Sequence, residues 1–588
     1  MSLLASRPRL LLIGEGAAAE ACARVLGLVG QERLANEALL RGESSLLRKA
    51  DVLILAEEGD LRQALAGLLA RSSEQTRRRP LRVLLVDEAI SDGAAILAEA
   101  EAQRPAWVQL EYVSIPRRAA RALLARWPLH WGADPRFGQR VHLLIVGECP
   151  FADALLLQAL QLSGYGPGTT RVTLFSETSA AWRRRFEVAY PQAHQIADLR
   201  FESVVSPDWA VAPPVTMVVV CTEPATEALA QAQRLITELG HVQRCSPPVL
   251  METGGLTAAG TIADWDGQLF PFDRRRLALE RSALLEGQGD ELAQVIHHHY
   301  RDTTEAQGRD PSKEPAGVAW PMLAESYRDA NRHQADHLWA KLALTDCQAV
   351  SEEHVESFAF APVEVEQLAI IEHGRWAADR WLDGWSYAPT RDNALKHHPQ
   401  LIPYEQLSGP MKDLDRFAVR LVPTLLARSG LGVLRMLIVG LMSGDEGESM
   451  PARRLDRHIR QVLQRLVARY PDRALMIGAS LEHPVVRRFA QIATDDYGAG
   501  LFLLLPQPLP ALLASLDASA REQTLALMAR AQRRIHLEAP SALARWLLER
   551  AEILVQLSAT ATWAQGAAKP IKQVRIRPSR ATTWSFEY

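Results

Sequence analysis

A chain of 588 residues is too long for one hydrophobic core and predicts about three to five domains of roughly 100 to 200 residues each. Apolar residues at 48% and charged residues at 23% argue against disorder, and a formal net charge of −3 rules out a whole-molecule field drawing the protein to nucleic acid or an anionic membrane, so basic character is local at most. The five cysteines (Cys22, Cys149, Cys221, Cys245, Cys347) form no C-x-x-C pair for zinc or a redox couple and fit a reducing cytoplasm.

The opening "MSLLASRPRLLLIGEG" has too short an apolar run, and no cleavage pattern behind it, to be a leader; it reads as a first strand. Residues 1–135 continue with Gly14, Gly16 and Ala19 in G-x-G-x-x-A spacing, a helix, and apolar runs at Asp51–Glu58, Leu81–Glu88 and Trp107–Ile115. Continuous apolar strands alternating with helices predict a parallel sheet covered on both faces. The glycine turn could hold a pyrophosphate at the helix N-terminus, but the following "GQERLANEALLRGESSLLRKAD" shows no clear second strand to carry a ribose-binding carboxylate.

The pattern restarts over 136–275 with "RVHLLIVGECPFADALLLQALQL" and strands expected at Arg171–Glu177, Val215–Glu223 and Pro247–Gly255. Gly147 opens its turn, Cys149 stands where the second glycine belongs, and Glu177 ends the second strand where an acid would hold a ribose. In this pattern the segment resembles the TrkA-type NAD-binding domains of bacterial potassium-uptake regulators. The resemblance implies a dinucleotide site or a scaffold or dimerisation role.

From 276 to 430 the strand pattern vanishes. A helical connector and linker are expected over 276–317, the linker being the polar "RDTTEAQGRDPSKEPAG". The triplet His297, His298, His299 reads as a solvated helix end, because adjacent helical side chains diverge and cannot share a metal.

The stretch "EHGRWAADRWLDGWSYAPTRDNALKHHPQLIPYEQL" gathers Trp376, Trp381 and Trp385 ahead of His397, His398 and Tyr404. A helix through it lays Glu372, His373, Trp376 and Arg380 along one stripe. Aromatic walls beside cations suit a flat π ligand carrying phosphates, and equally suit a small domain's core.

The order E-H-x-x-W, G-W, R-D, K-H-H-P-x-L-x-P-Y-x-x-L and K-x-x-D-R resembles the RyR domain, the repeat named after ryanodine receptor channels. It is carried by Glu372, His373, Trp376, Gly384, Trp385, Arg391, Asp392, Lys396, His398, Pro399, Leu401, Pro403, Tyr404, Leu407, Lys412, Asp415 and Arg416. The preceding Trp320–Leu342 looks like the helix before RyR domains in bacterial proteins, giving an RyR domain over 318–430. The resemblance implies recognition of a nucleotide-derived ligand or a partner protein by a pocket of His373, Trp376, Trp381, Trp385, Tyr387, Arg391, Asp392, His398, Tyr404 and Lys412, with no catalytic residue.

Strands return over 431–588, at Val433–Gly444, Ala474–Ala479, Gly500–Pro506 and Ala551–Ser558. This unit resembles SLOG domains, Rossmann-like nucleotide binders, which implies phosphate turns at Gly440, Ser443 and Gly444 and at Gly478. Tyr497–Leu516 is uncharged over about a membrane span, but Pro506, Pro508 and Pro510 would break a spanning helix. In the tail, "KPIKQVRIRPSR" reads as a charged edge strand.

The expectation is an α/β multidomain protein: two tandem Rossmann-like domains, a mainly helical RyR domain and a SLOG-like domain. It is expected to be a cytoplasmic sensor or scaffold, more a binder than an enzyme, with a nucleotide such as NAD as ligand, no nucleic acid, no metal and no membrane span. An effector protein, a transporter or a second copy remain open as partners. The alternatives are a nucleotide-processing enzyme using Asp445, Glu446 or Glu482 as acid or base, and a transporter or channel subunit.

Overall fold

Glycine-bounded apolar runs become mostly parallel strands in the computed structural model, which describes residues 8–28, 33–34, 49–56, 80–88, 107–165, 168–203, 212–254, 267–285, 289–355, 357–443, 451–557 and 572–575. The chain forms two compact units, one of Met1–Arg126, Glu148–Ala159 and Phe272–Asp336, the other of Trp127–Gly147, Leu160–Pro271 and His337–Tyr588.

In the first unit, β1 (Leu10–Ile13), β2 (Arg33–Leu34), β3 (Val52–Ala56), β4 (Leu81–Asp87) and β5 (Val108–Ser114) form a parallel sheet of order β2-β1-β3-β4-β5. Consecutive residues such as Leu53, Ile54 and Leu55 are all buried, as a sheet covered on both faces requires. Helix α1 (Ala17–Leu26) follows β1, and α2 (Ile115–Arg126) follows β5. Farther along come α3 (Glu291–Ala306) and α4 (Glu325–Asp336). Arg121 of α2 bonds Asp290 at 2.6 Å and Asp336 at 2.7 Å, and Arg332 bonds the same Asp290 at 2.7 Å.

Two sequence expectations change here. His297 is core rather than solvated: its Nε2 donates to the Val318 carbonyl at 2.8 Å and its ring lies 5.8 Å from Trp320. The polar stretch 301–317 begins as the last turns of α3, and a Cβ at Gly317 would collide with the Pro311 carbonyl, so it packs against itself as no solvated linker would.

The second unit holds two large sheets and a two-stranded one. The first has β6 (His142–Val146), β7 (Arg171–Phe175), β8 (Asp198–Glu202), β9 (Met217–Val220), β10 (Val249–Glu252) and β11 (Leu269–Phe272) in the order β11-β10-β9-β6-β7-β8. Numbered by sequence this is 3-2-1-4-5-6, the order of doubly wound dinucleotide-binding sheets, with its switch point between β6 and β9. The other is built on β15 (Leu431–Met442), with β16 (Arg473–Ala479), β17 (Gly500–Leu505), β18 (Arg533–His536), β19 (Ile553–Gln556) and β20 (Lys572–Arg575), ordered β18-β17-β16-β15-β19-β20.

Between these sheets in sequence lie α5 (Leu338–Leu344), β12 (Cys347–Ser351), α6 (Pro362–Leu382), the two-residue strands β13 (Ser386–Tyr387) and β14 (His397–His398), and α7 (Gly409–Arg428). The region is not free of strands, contrary to the sequence reading, because β12 pairs antiparallel with the first half of β15, Cys347 opposite Arg435. β18 does not stand out in the sequence because "RRIH" reads as polar. Its buried Arg534 donates to the Met528 and Gly267 carbonyls and lies over the rings of Trp131 and Phe270. Helices α8 (Ala452–Arg469), α9 (Pro484–Tyr497) and α10 (Ser541–Arg550) pack on this sheet. Among the described residues no helix is long and apolar enough to cross a membrane.

Candidate functional site

Helix α6 starts with Pro362, whose missing N–H costs nothing at that position, and Glu364 accepts from the Ala361 backbone N–H at 2.7 Å. Its stripe separates by burial. Glu372 and Arg375 turn into the core, where Glu372 pairs with Lys341 of α5 at 2.8 Å and with Arg375 at 2.7 Å. Burial would raise the Glu372 carboxyl, but Arg375 and Lys341 hold it well below the usual carboxylate range.

His373, Trp376 and Arg380 enter a continuous run of rings with a cation at each end. Lys412 lies 5.2 Å over Tyr404, Tyr404 is 6.0 Å from His373, and His373 stacks on Trp376 at 5.6 Å. Trp376 meets His398 edge-on at 4.9 Å, His398 is 5.9 Å from Trp385, and Arg380 lies 5.6 Å over Trp385. Trp381 packs beside Ala377, Trp385 and Leu401. Much of the aromatic surface is therefore spent on the domain's own core, while Trp376 and Trp381 remain partly exposed.

The two histidines are held in different states. His373 donates from Nε2 to the Ile402 carbonyl at 2.8 Å and faces Asp415 through Nδ1 at 3.4 Å; burial opposes its charge, but these partners raise its pKa. His398 instead uses Nδ1 to accept the Gln400 N–H at 3.2 Å. Burial, then Arg391 and Arg380, push its pKa down, and with Nδ1 used as an acceptor the uncharged ring carries its proton on Nε2.

Arg380 and Arg391 are the unbalanced charges. The Arg380 Nε is buried with no hydrogen-bond partner, the exposed Arg391 bonds only Asn393 at 3.0 Å, and neither pairs with a carboxylate among the described residues. The sequence-predicted set contained Arg391 but omitted Arg380, although its place on the helical stripe pointed to it. Tyr387 is exposed and makes none of the ring contacts, while Asp392 accepts the Ala394 and Leu395 N–H groups and shapes the turn.

The glycine sites lie elsewhere. Gly14 and Gly16 have φ of 125° and 92°, Gly16 caps α1, and Ala19 is buried. Gly147, at the carboxyl end of β6, has φ 97° and lies so close to Thr222 that a Cβ would meet its backbone N at 2.9 Å. Glu177 is exposed just beyond β7. Gly440 and Gly478 sit within β15 and β16, where the missing Cβ makes room for Leu547 and Trp546 of α10. Ser443 follows β15; Gly444, Asp445 and Glu446 lie outside the described residues. Glu482 is exposed and accepts from Gln507 at 2.7 Å. Among the described residues no group of three or more His, Cys, Asp or Glu could hold a metal.

A polar cavity of about 420 Å³ opens beside the middle of β15 and the amino ends of β16 and β19, away from the carboxyl ends where ligands of such sheets bind. Its four arginines, Arg136, Arg435, Arg473 and Arg550, are each paired with a carboxylate, leaving no net charge to attract an ion.

A family model for the RyR domain matches residues 361–433, which span α6, the ring cluster, α7 and the start of β15. The chain thus contains an RyR domain set within parallel α/β sheets. No curated protein matches the chain.

Proposed function

We propose that the protein is a cytoplasmic ligand sensor whose RyR domain binds a nucleotide derivative at the open edge of the ring run. The observation that carries this reading is that Arg380 and Arg391, both without a carboxylate partner among the described residues, lie near enough to His398 to depress its pKa, while the partly exposed Trp376 meets the same imidazole edge-on at 4.9 Å. A base stacks on the exposed part of the Trp376 ring face, and phosphate satisfies the guanidinium groups and the His398 Nε2–H. The site has no nucleophile with a base, so recognition rather than turnover is the role.

The test is calorimetry of the full chain with NAD, ADP-ribose, cyclic ADP-ribose, ATP and ADP. One of them binds, and Arg380→Ala or Trp376→Ala weakens it by at least about tenfold, the loss expected of one charged hydrogen bond. Equal affinity in both variants rejects the RyR site.

A second reading has its own support in the 3-2-1-4-5-6 strand order, the turn at Gly147 and the exposed Glu177. It places a dinucleotide on the β6 turn, and predicts that Gly147→Asp abolishes binding while Arg380→Ala does not.

A further inference from the structure

Helix α8 buries Ile459, Val462, Leu463 and Leu466 in the core of the β15 sheet. It carries six arginines against one aspartate. Asp496 neutralises one of these charges by pairing with Arg460 at 2.7 Å, whereas the helix's own Asp456 is held by a further cation, Arg488, at 2.6 Å. Arg453, Arg454, Arg457 and Arg469 are exposed and form no ion pair among the described residues.

Three of those four stand in the first two turns, where the helix dipole already presents positive charge and where acidic residues are the usual choice. The excess is felt inside the domain. His458 is buried with its Nδ1 unpartnered, and burial, then Arg454 and Arg457, hold its imidazole below the usual histidine range.

The surroundings select the partner. The apolar face of α8 is committed to the core and Val467 is the one large apolar side chain the helix exposes, so it has nothing to insert into a bilayer. A protein interface needs a desolvated apolar or aromatic centre, which this face also lacks. What it offers is a solvent face on which Arg453 and Arg457 line up with Gln464, Arg454 and Gln461 stand about a quarter turn round, and Arg469, about 24 Å from Arg453 at about 1.5 Å per residue, lies nearly half a turn away. Interfaces of this polar, cationic kind suit phosphate backbones.

We propose that the arginine face of α8 docks a nucleic-acid duplex through its phosphate backbone, without reading its sequence. This departs from the expectation drawn from the net charge of −3, which concerns the field of the whole chain and not a local face. It is independent of the RyR reading.

The test is fluorescence anisotropy of the full chain with a labelled duplex of about 20 base pairs, between roughly 50 and 200 mM salt. Binding is expected to be equal for two unrelated sequences and to weaken with salt at a log–log slope of about −3. The triple variant Arg453→Gln, Arg454→Gln, Arg457→Gln loses at least about tenfold in affinity and most of the slope, with its melting temperature unchanged. Arg469→Gln, at the far end of the helix and nearly half a turn from Arg453, leaves affinity almost unchanged and so shows that the loss in the triple variant is local. No duplex binding at the lowest salt, an unchanged triple variant, or polyglutamate or anionic vesicles binding as tightly as the duplex would each overturn the proposal.

Discussion

Glu372 shows how one residue can satisfy a family pattern for structural reasons. It is buried between Lys341 and Arg375, and Arg375 also bonds Asp379 at 2.6 Å. Removing its charge leaves a lysine that is itself fully buried without its carboxylate, so Glu372→Gln should cost about 3–5 kcal/mol, read as a fall in denaturant midpoint. Replacing Lys341 with Met in the same background should recover part of that loss, because the orphaned charge is then gone. His398 supports a separate prediction about binding. Its pKa is depressed in the free protein by burial and by Arg391 and Arg380, and a phosphate on those arginines would remove the second cause. Binding then takes up a proton, so affinity should rise as pH falls from about 8 to 6, and His398→Asn should flatten that slope. A flat profile in the parent protein would show that the phosphate sits elsewhere.

At the scale of elements, β15 ties the RyR domain to the sheet that follows it. Its first residues belong to the RyR match, its first half pairs with β12, and Arg435 on it makes two bonds of 2.6 Å to Glu364 near the start of α6. Glu364→Ala therefore removes both a helix-start acceptor and an ion pair, and a loss of about 0.5–2 kcal/mol in thermal unfolding is expected from the first alone. Helix α10 explains the two glycines read as phosphate turns. A Cβ on Gly478 would fall 2.6 Å from the Trp546 ring, so Gly478→Ala should destabilise by about 1–3 kcal/mol whether or not a nucleotide is present. Trp546 has no room to retreat, because it is fully buried and its Nε1 donates to the equally buried Asp134 at 2.9 Å.

For the whole molecule, several carboxylates paired with arginine share one pH signature. Asp290, Asp346 and Glu372 are each raised by burial and lowered further by adjacent arginines, so all three are depressed. The unfolded chain binds protons at these sites more readily than the folded one, so their stabilisation is complete above the ordinary carboxylate range, begins to fall as pH drops below about 4 and is lost through their depressed folded values. His373 works the other way: raised by Asp415 and Ile402 against burial, it stabilises below about 6.5 and loses that contribution as pH climbs past its folded value. Urea midpoints across pH 3 to 8 should therefore drop steeply on the acid side and only slightly on the basic side. A steep loss on the basic side would count against this assignment.

The sequence by itself determined the α/β alternation, the parallel sheets and the RyR stretch, because apolar runs and turn residues are local, and because His373, Trp376, Trp385, His398 and Tyr404 meet across one short helical domain. It did not reveal β8, whose "DLRFE" is half exposed at a sheet edge, or β12, whose short "CQAVS" becomes a strand only against β15. Nor did it reveal that Asp134, bonded to Arg550 at 2.8 Å and to Trp546, is fully buried. Only the tertiary structure decided which charges are spent and which are free: Glu372, Arg375 and Lys341 neutralise one another, whereas Arg380 and Arg391 do not find a carboxylate. Hydrophobic period is written along the chain, but the partner of a charge is set by residues distant in sequence, and that pairing separates core from recognition surface.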